Sequence, residues 1–273
     1  VLQYAGLLLL TLAAVGPFLW LLSTALKSSG ENIYSFPPRF LPQSPTLGNF
    51  VEVWRAVPMA DYFTNSLVVT LLTVALTLAT SVLAAYPLAR MRFPGRNLFF
   101  YAVIASMMIP FQVIMIPVYL MMLGLGLDDN GDVVRSWLAL SLPYAVSGFG
   151  ILFLRQAMKV IPKALEESAM LDGCNGWQTL RYVILPLIRP SLATLAVFTF
   201  IAIYGEFLWP SIILSNPKHF TLPVGLVQLQ GAFSANWRLI AAGTVLSMAP
   251  ILLMFVFLQR YIMAGSLAGS IKE

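Results

Sequence analysis

Of 273 residues only 10% are charged while 59% are hydrophobic, against roughly 25% and 45–50% in soluble domains. A chain so poor in charge lacks the material for a water-exposed surface, which excludes a soluble globular domain. At about 20 apolar residues per bilayer crossing, the length leaves room for six spans.

The first apolar run goes from Tyr4 to Leu26 and stops at Lys27. It is longer than a signal-peptide core and no small-residue cleavage site follows it, so it reads as a retained span. Residues 28–61 are polar, carry Pro37, Pro38, Pro42, Pro45 and Pro58, and read as an extramembrane loop with short structure. Further runs cover 67–89, 98–123, 137–154, 191–214 and 239–258. The expectation is an all-α, polytopic membrane protein with six transmembrane helices in one domain over 1–273. Pro110 and Pro117 are expected to kink the third helix. Trp20, Trp137 and Trp209 read as interfacial anchors. The segment Asp128 to Asp132 offers oxygen ligands like part of a calcium loop but lacks the closing glutamate, so it reads as a solvated turn.

Basic residues fix the orientation, because short cytoplasmic loops accumulate Lys and Arg. With the second loop inside, Arg90, Arg92 and Arg96 are joined there by Arg155, Lys159, Lys163, Arg181 and Arg189 of the fourth loop, and by Arg260 and Lys272 of the tail, ten of the sixteen basic residues. The outer segments hold Lys27, Arg39, Arg55, Arg135, Lys218 and Arg238, balanced by Glu31, Glu52, Asp61, Asp128, Asp129 and Asp132. Both termini are then cytoplasmic. The net charge of +5 is a topology signal, and no nucleic-acid partner is needed to explain it.

The chemistry of catalysis is missing. Cys174 and His219 are each the only residue of their kind, too few for a disulfide or a converging metal site, and both read as surface or packing residues. No P-loop or nucleophile elbow is present, so no catalytic, cofactor or metal site is expected and the driving energy comes from elsewhere. The fourth loop, residues 159–190, is the informative stretch. Pro162 opens a helix, Glu166 and Glu167 fall in its first turns where the helix dipole favours carboxylates, and Gly173 supplies the left-handed residue that ends it. A second short helix follows from about Trp177 to Val183 and breaks at Pro186. Such a helix, turn, helix elbow suits a mechanical contact with a soluble partner.

That loop resembles the EAA motif of ABC importer permeases: Glu167-Ser168-Ala169, then Gly173, then Val183-Ile184-Leu185-Pro186. Leu171-Asp172-Gly173 looks most like the carbohydrate-uptake branch. Further landmarks resemble the same family: Asn65-Ser66 at the start of the second helix, Arg92-Phe-Pro-Gly95, Met108-Ile-Pro110, Ile116-Pro117, Phe153-Leu-Arg-Gln156, Ile161-Pro162 and Phe207-Leu-Trp-Pro210. Gln259-Arg260 and the tail from Ala264 to Glu273 resemble the second, smaller permease of a heterodimeric pair, whose tail reaches into the ATPase dimer. The resemblance implies a type I ABC importer permease fold in a bacterial inner membrane. It implies four partners besides membrane lipid: a second permease, an ABC ATPase dimer that binds ATP and Mg on its own chains, an extracytoplasmic substrate-binding protein, and a sugar or polyol. Glu166, Glu167, Ser168, Ala169, Asp172, Gly173, Leu185 and Pro186 would form the coupling element, with Glu167 facing a basic residue of the ATPase. The last outer loop, 215–237, with Gly225 and Gly231, would enter the cleft of the binding protein; a membrane-lying cap is the rival reading.

For the substrate path, an ionisable group inside the membrane is a functional candidate by default, and Glu206 is the one acid inside a span. Tyr204 and Trp209 beside it could offer an aromatic face to a sugar ring. A gating or packing role for Glu206 competes with binding. No Arg or Lys lies within the spans, which favours a neutral substrate. A secondary transporter or channel working without an ATPase is the other class of function; it would show internal repeats and several intramembrane ionisable groups, and this sequence has neither.

Overall fold

The computed structural model describes residues 2–230 and 236–267. Gly231 and the last residues of the tail, Lys272 among them, lie outside the described residues. The chain divides into two compact units, one of Val1–Ser66 with Asn216–Leu252 and one of Leu67–Ser215 with Leu253–Glu273. Helices make up the regular structure of the described residues.

The first unit opens with α1, Leu2–Leu26, apolar on all sides. The carbonyls a helix leaves unpaired at its C-terminus need partners, and here they find them in the following loop. Asn49 of α2, Gly48–Ala56, donates Nδ2 to the carbonyls of Ala25 at 2.7 Å and Lys27 at 2.8 Å, and the Thr46 amide donates to Leu26 at 2.8 Å. Lys27 is not the solvated flank its position implied. It is buried, donates Nζ to the Arg39 carbonyl at 2.7 Å and lies 4.8 Å over the Trp20 ring. The next helix, α3, runs Met59–Arg90. It starts eight residues before the expected span, and Asn65 and Ser66 sit inside it rather than at its start.

That early start has a cause in the same unit. Asn65 donates Nδ2 to the carbonyls of Lys218 at 2.9 Å and Phe220 at 3.1 Å, and the Leu222 amide donates to Ser66 Oγ at 2.7 Å. The short helix α12, Leu222–Val227, brings Gly225 so close that a Cβ there would stand 2.2 Å from the Tyr62 ring. The described part of the last outer loop is thus packed on the first turns of α3, with His219 buried in it. The long helix α13, Trp237–Leu267, completes this unit and ends in the other.

Three of the apolar runs form unbroken helices long enough to cross: Gln3–Leu26, Met59–Arg90 and Trp237–Phe257. The other three, expected as single helices, are each broken. In the second unit α4, Arg96–Met107, and α5, Phe111–Gly124, meet at 99°. Helix α6, Val133–Ser141, extended by a 3₁₀ turn to Tyr144, meets α7, Gly148–Val160, at 57°. Helix α10, Arg189–Tyr204, stops at Gly205, and a short α11, Leu208–Ile213, follows. Pro110 thus does far more than kink its helix: it lacks an N–H and forces Ile109 out of the helical region.

The second unit is held together where backbones come close. A Cβ on Gly148 would stand 2.5 Å from Met107 Cγ, and one on Gly150 would stand 2.4 Å from Ser81 Oγ and 3.2 Å from Leu195. These two glycines let α7 lie against α4, α3 and α10, as small residues do between membrane helices. The turn 128–132 is another departure. Asp129 is buried, accepting from Ser136 Oγ at 2.8 Å and from the Ser215 amide, while Asp132 caps α6 by accepting from Val134 N at 3.3 Å. Asn130, Gly131 and Asp132 are exposed, as a solvated turn requires, but Asp129 is a buried structural tie. Trp209 is not an interfacial anchor either. It is fully buried, donating Nε1 to the Ala139 carbonyl at 3.2 Å and meeting Phe111 edge-on at 5.6 Å.

Candidate functional site

The fourth loop forms the elbow its sequence announces. Helix α8 runs Lys163–Leu171 behind Pro162. At its end the Gly173 amide donates to Met170 O at 3.0 Å and the Cys174 amide to Ala169 O at 2.9 Å, with Gly173 at φ +84°. This is the Schellman pattern, with glycine in the left-handed position. Asp172 is the last residue before that turn and is exposed.

The second arm, α9, spans Gly176–Leu187. It begins earlier than expected because Asn175 and Gln178 form a capping box: the Gln178 amide donates to Asn175 Oδ1 at 2.9 Å, and the Asn175 amide to Gln178 Oε1 at 2.8 Å. The signal was present as Asn-x-x-Gln. The arm also continues past Pro186 instead of breaking there. A wide π turn over Leu180–Ile184 opens the hydrogen-bond ladder just before the proline, which has no N–H to contribute. The bend falls after Leu187, where α10 departs at 76°.

The two acids of the elbow face opposite ways. Glu166 turns inward, 2.8 Å from Arg90 Nε, with both side chains nearly buried. Arg90 also donates Nη2 to the carbonyls of Met158 and, at 2.7 Å, Ile161, so one guanidinium joins the ends of α3 and α7 to α8. Glu167 and Ser168 are exposed, while Ala169 is buried on the inner side. Beside Glu167 stands an apolar ridge, with Leu171 90%, Trp177 61% and Met170 58% exposed. The back of α9 is built otherwise. Leu180 and Ile184 are buried in one cluster with Val82, Ala85, Leu154, Met158 and Leu195, with Leu185 packed against it. The elbow therefore shares its core with α3, α7 and α10. Close-packed interiors transmit displacement rather than absorb it.

The proposed substrate residues do not converge on open space. Tyr204 is buried, stacked on Phe200 at 5.5 Å, and its hydroxyl has no hydrogen-bond partner among the described residues. Glu206 Oε1 accepts from the amides of Leu208 at 2.9 Å and Trp209 at 3.3 Å, heading α11. The open space lies nearby. A cavity of about 650 Å³ is bordered by the first two helix breaks and by the last turns of α10, with Ser106, Phe111, Tyr144, Ser147, Phe198 and Thr199 among its walls. Among the described residues no charged side chain lines it. The carbonyls released at the middle break are satisfied from α3: Thr77 Oγ1 donates to Tyr144 O at 3.0 Å and Thr80 Oγ1 to Ala145 O at 2.6 Å. Irregular backbone at membrane depth is tolerated where it lines a cavity or is buried in protein. The sequence carried this signal as Pro110 and as the Pro143 and Ser147 that flank the middle break, but nothing in a local pattern shows that separate breaks meet.

Residues 77–265 match the family described as binding-protein-dependent transport system inner membrane component. Over 269 residues the chain is 34% identical to an arabinooligosaccharide transport system permease of Halalkalibacterium halodurans, covering 98% of this chain and 94% of that one. It is 34% identical to a sulfoquinovosyl glycerol transport system permease of Agrobacterium fabrum over 99% of this chain and 93% of that one. With a diacetylchitobiose uptake system permease of Streptomyces coelicolor it shares 35% identity over 96% and 94%. Among solved structures it is similar to a chain of a bacterial ABC transporter involved in the import of alginate, with a TM-score of 0.83 at 24% identity over 96% of this chain and 95% of that one. At that identity the likeness is one of fold.

Proposed function

The chain belongs to the family of inner-membrane components of binding-protein-dependent transport systems, as a permease subunit of an ATP-driven ABC importer in the carbohydrate branch, and we propose that its elbow receives the ATPase stroke. The observation that carries this reading is the two-sided build of the elbow. Its outer side offers Glu167 and an apolar ridge, while its inner side is set in the core of the membrane helices. Glu167, Ser168, Leu171 and Trp177 form the contact. Glu166, Ala169, Asp172, Gly173, Leu185 and Pro186 give the elbow its shape. ATP and Mg bind on the ATPase chains, and this chain drives nothing by itself.

The substrate passes through the cavity bordered by the first two helix breaks, where hydroxyls of Ser106, Ser147 and Thr199 stand among aromatic rings. Such a mixture suits a neutral sugar, hydroxyls to hydroxyls and rings to the apolar sugar face. The relatives named for arabinooligosaccharides, sulfoquinovosyl glycerol and diacetylchitobiose support the carbohydrate class without selecting one member. Tyr204, Glu206 and Trp209 hold the wall behind this path. A second permease completes the path, an extracytoplasmic binding protein delivers the sugar, and the charge distribution supports cytoplasmic termini. Gln259, Arg260 and the tail support the smaller-subunit assignment.

The test is uptake in proteoliposomes that contain the permease pair, the ATPase and the loaded binding protein. Transport should require ATP and the ATPase chain. Replacing Leu171 and Trp177 by serine should cut both ATP hydrolysis stimulated by the binding protein and uptake at least tenfold, at unchanged permease stability. Uptake by the permeases alone would overturn the reading.

A further inference from the structure

Four cations gather where α3 gives way to α4, and among the described residues no acid pairs with them. Arg155 is buried, donates Nε to the Leu88 carbonyl at 3.2 Å, and holds its guanidinium 3.8 Å from the Phe100 ring centre. Arg155 and Arg96 both bear electrostatically on Lys159, and Arg92 stands exposed on the same turn. Among the described residues the one ion pair is Arg90–Glu166, so this group has no carboxylate of its own. Crowded like charges raise the local potential and favour an anion.

A place for that anion exists. Arg92, Phe93, Gly95, Arg96, Asn97 and Leu98 line a cavity of about 380 Å³, room for a dozen or so water molecules at roughly 30 Å³ each, and so for a glycerophosphate. The apolar surroundings select among anions. None of the residues of α4 is buried, and its exposed face begins at the rim of the cavity with Leu98, Phe99 and Tyr101. A free phosphate or an acidic protein surface would meet the charges alone, whereas a lipid lying on this face of a membrane span reaches them with its headgroup. An anion attached to hydrocarbon chains satisfies both at once.

We propose that this pocket binds the phosphate headgroup of an anionic phospholipid, of the phosphatidylglycerol or cardiolipin class, whose acyl chains lie along α4. Such basic pockets at the cytoplasmic boundary are suited to anionic headgroups. The lipid supplies the counter-charge that the chain lacks at the junction of α3, α4 and α7, beside the Arg90 clamp. The proposal depends on the membrane reading and not on which sugar is carried.

The test uses the assembled importer, delipidated in detergent and titrated with labelled phosphatidylglycerol. Exchanging Arg92 and Arg96 together for glutamine should weaken binding about 25-fold, taking roughly fivefold per basic residue near a membrane surface. Arg92→Lys with Arg96→Lys should stay within a few-fold of the unaltered protein. Phosphatidylcholine should not compete, nor should inorganic phosphate. Equal binding by the glutamine variant, or full competition by either of those two, would overturn the proposal. If the glutamine variant does not assemble, the lysine variant decides: it should still prefer phosphatidylglycerol to phosphatidylcholine, and loss of that preference would also overturn the proposal.

Discussion

Glu166 and Glu167 are neighbours in sequence with opposite duties, and that difference can be measured. Removing one member of a buried pair leaves the other charge uncompensated, at about 3–5 kcal/mol, so Glu166→Ala should lower the melting temperature sharply, and Arg90→Ala with Glu166→Ala together should cost less than the two single changes combined. Glu167→Ala should leave stability within about 0.5 kcal/mol, as exposed changes do, while reducing coupled ATP hydrolysis. Thermal unfolding beside an ATPase assay separates the two. Tyr204 offers a second residue-scale test. Its buried hydroxyl has no partner among the described residues, and an unsatisfied buried group costs about 1–3 kcal/mol. Tyr204→Phe should therefore raise stability while uptake stays unchanged; a fall in uptake would place the hydroxyl on the sugar. The outward role of Glu167 was expected, but nothing local in the sequence marks the inward role of Glu166 or the burial of Tyr204. Arg90, Arg155 and Asp129 read as topology markers or solvated charge because their distant partners, Glu166, Leu88 and Ser215, stand far along the chain and leave no local pattern.

At the scale of elements, the elbow was legible and the membrane helices only partly so. Pro162 and Gly173 act through their own backbone neighbourhoods, and each did what its chemistry dictates, whereas Glu166 is committed to Arg90 far along the chain. Gly173 provides the sharpest check. Nothing stands within 4 Å of a Cβ built there, so its constraint is purely conformational, φ +84°. Alanine in the left-handed region costs about 1–2 kcal/mol, so Gly173→Ala should lower coupled uptake severalfold, while Gly173→Asn, which tolerates that region, should restore most of it. The breaks at 108–110 and 205–207 were read differently by the same logic. The first announces itself with proline. The second is made by Glu206 turning its carboxylate onto the amides of Leu208 and Trp209, inside a run that looked like one apolar span. Gly148 and Gly150 escaped notice because a glycine required for close approach looks, in sequence, like any other.

At the scale of the whole molecule, transport needs the cavity and the elbow to respond together, and their construction allows them to be separated by experiment. The cavity wall at Ser147 is a 3₁₀-to-helix junction at the start of α7, one helix away from α8. Filling the cavity with Ser147→Trp should abolish uptake in proteoliposomes while binding-protein-stimulated ATP hydrolysis persists, the reverse of the pattern expected from the elbow's ridge. Loss of both activities together would mean that the cavity controls the stroke as well as the passage. Composition and charge were enough to announce a multi-pass membrane protein. The cavity proposed as the path was not legible, because it lies where two interrupted helices meet the end of α10, and that meeting is a property of tertiary packing alone.

The ridge on α8 and α9 also bears on the life of the chain before assembly. Leu171, Met170 and Trp177 present an apolar patch on the soluble side of the elbow, and exposed patches of that kind mark unfilled interfaces and invite aggregation. A permease inserted without its ATPase carries that patch uncovered, available to the proteases and chaperones that triage incomplete proteins. Steady-state abundance of the permease should then follow the supply of the ATPase. Pulse-chase labelling in cells depleted of the ATPase should show a shortened half-life, lengthened again when Leu171 and Trp177 are replaced by serine. The surface that receives the power stroke would thus also count the subunits, so that orphan channels are cleared from the membrane.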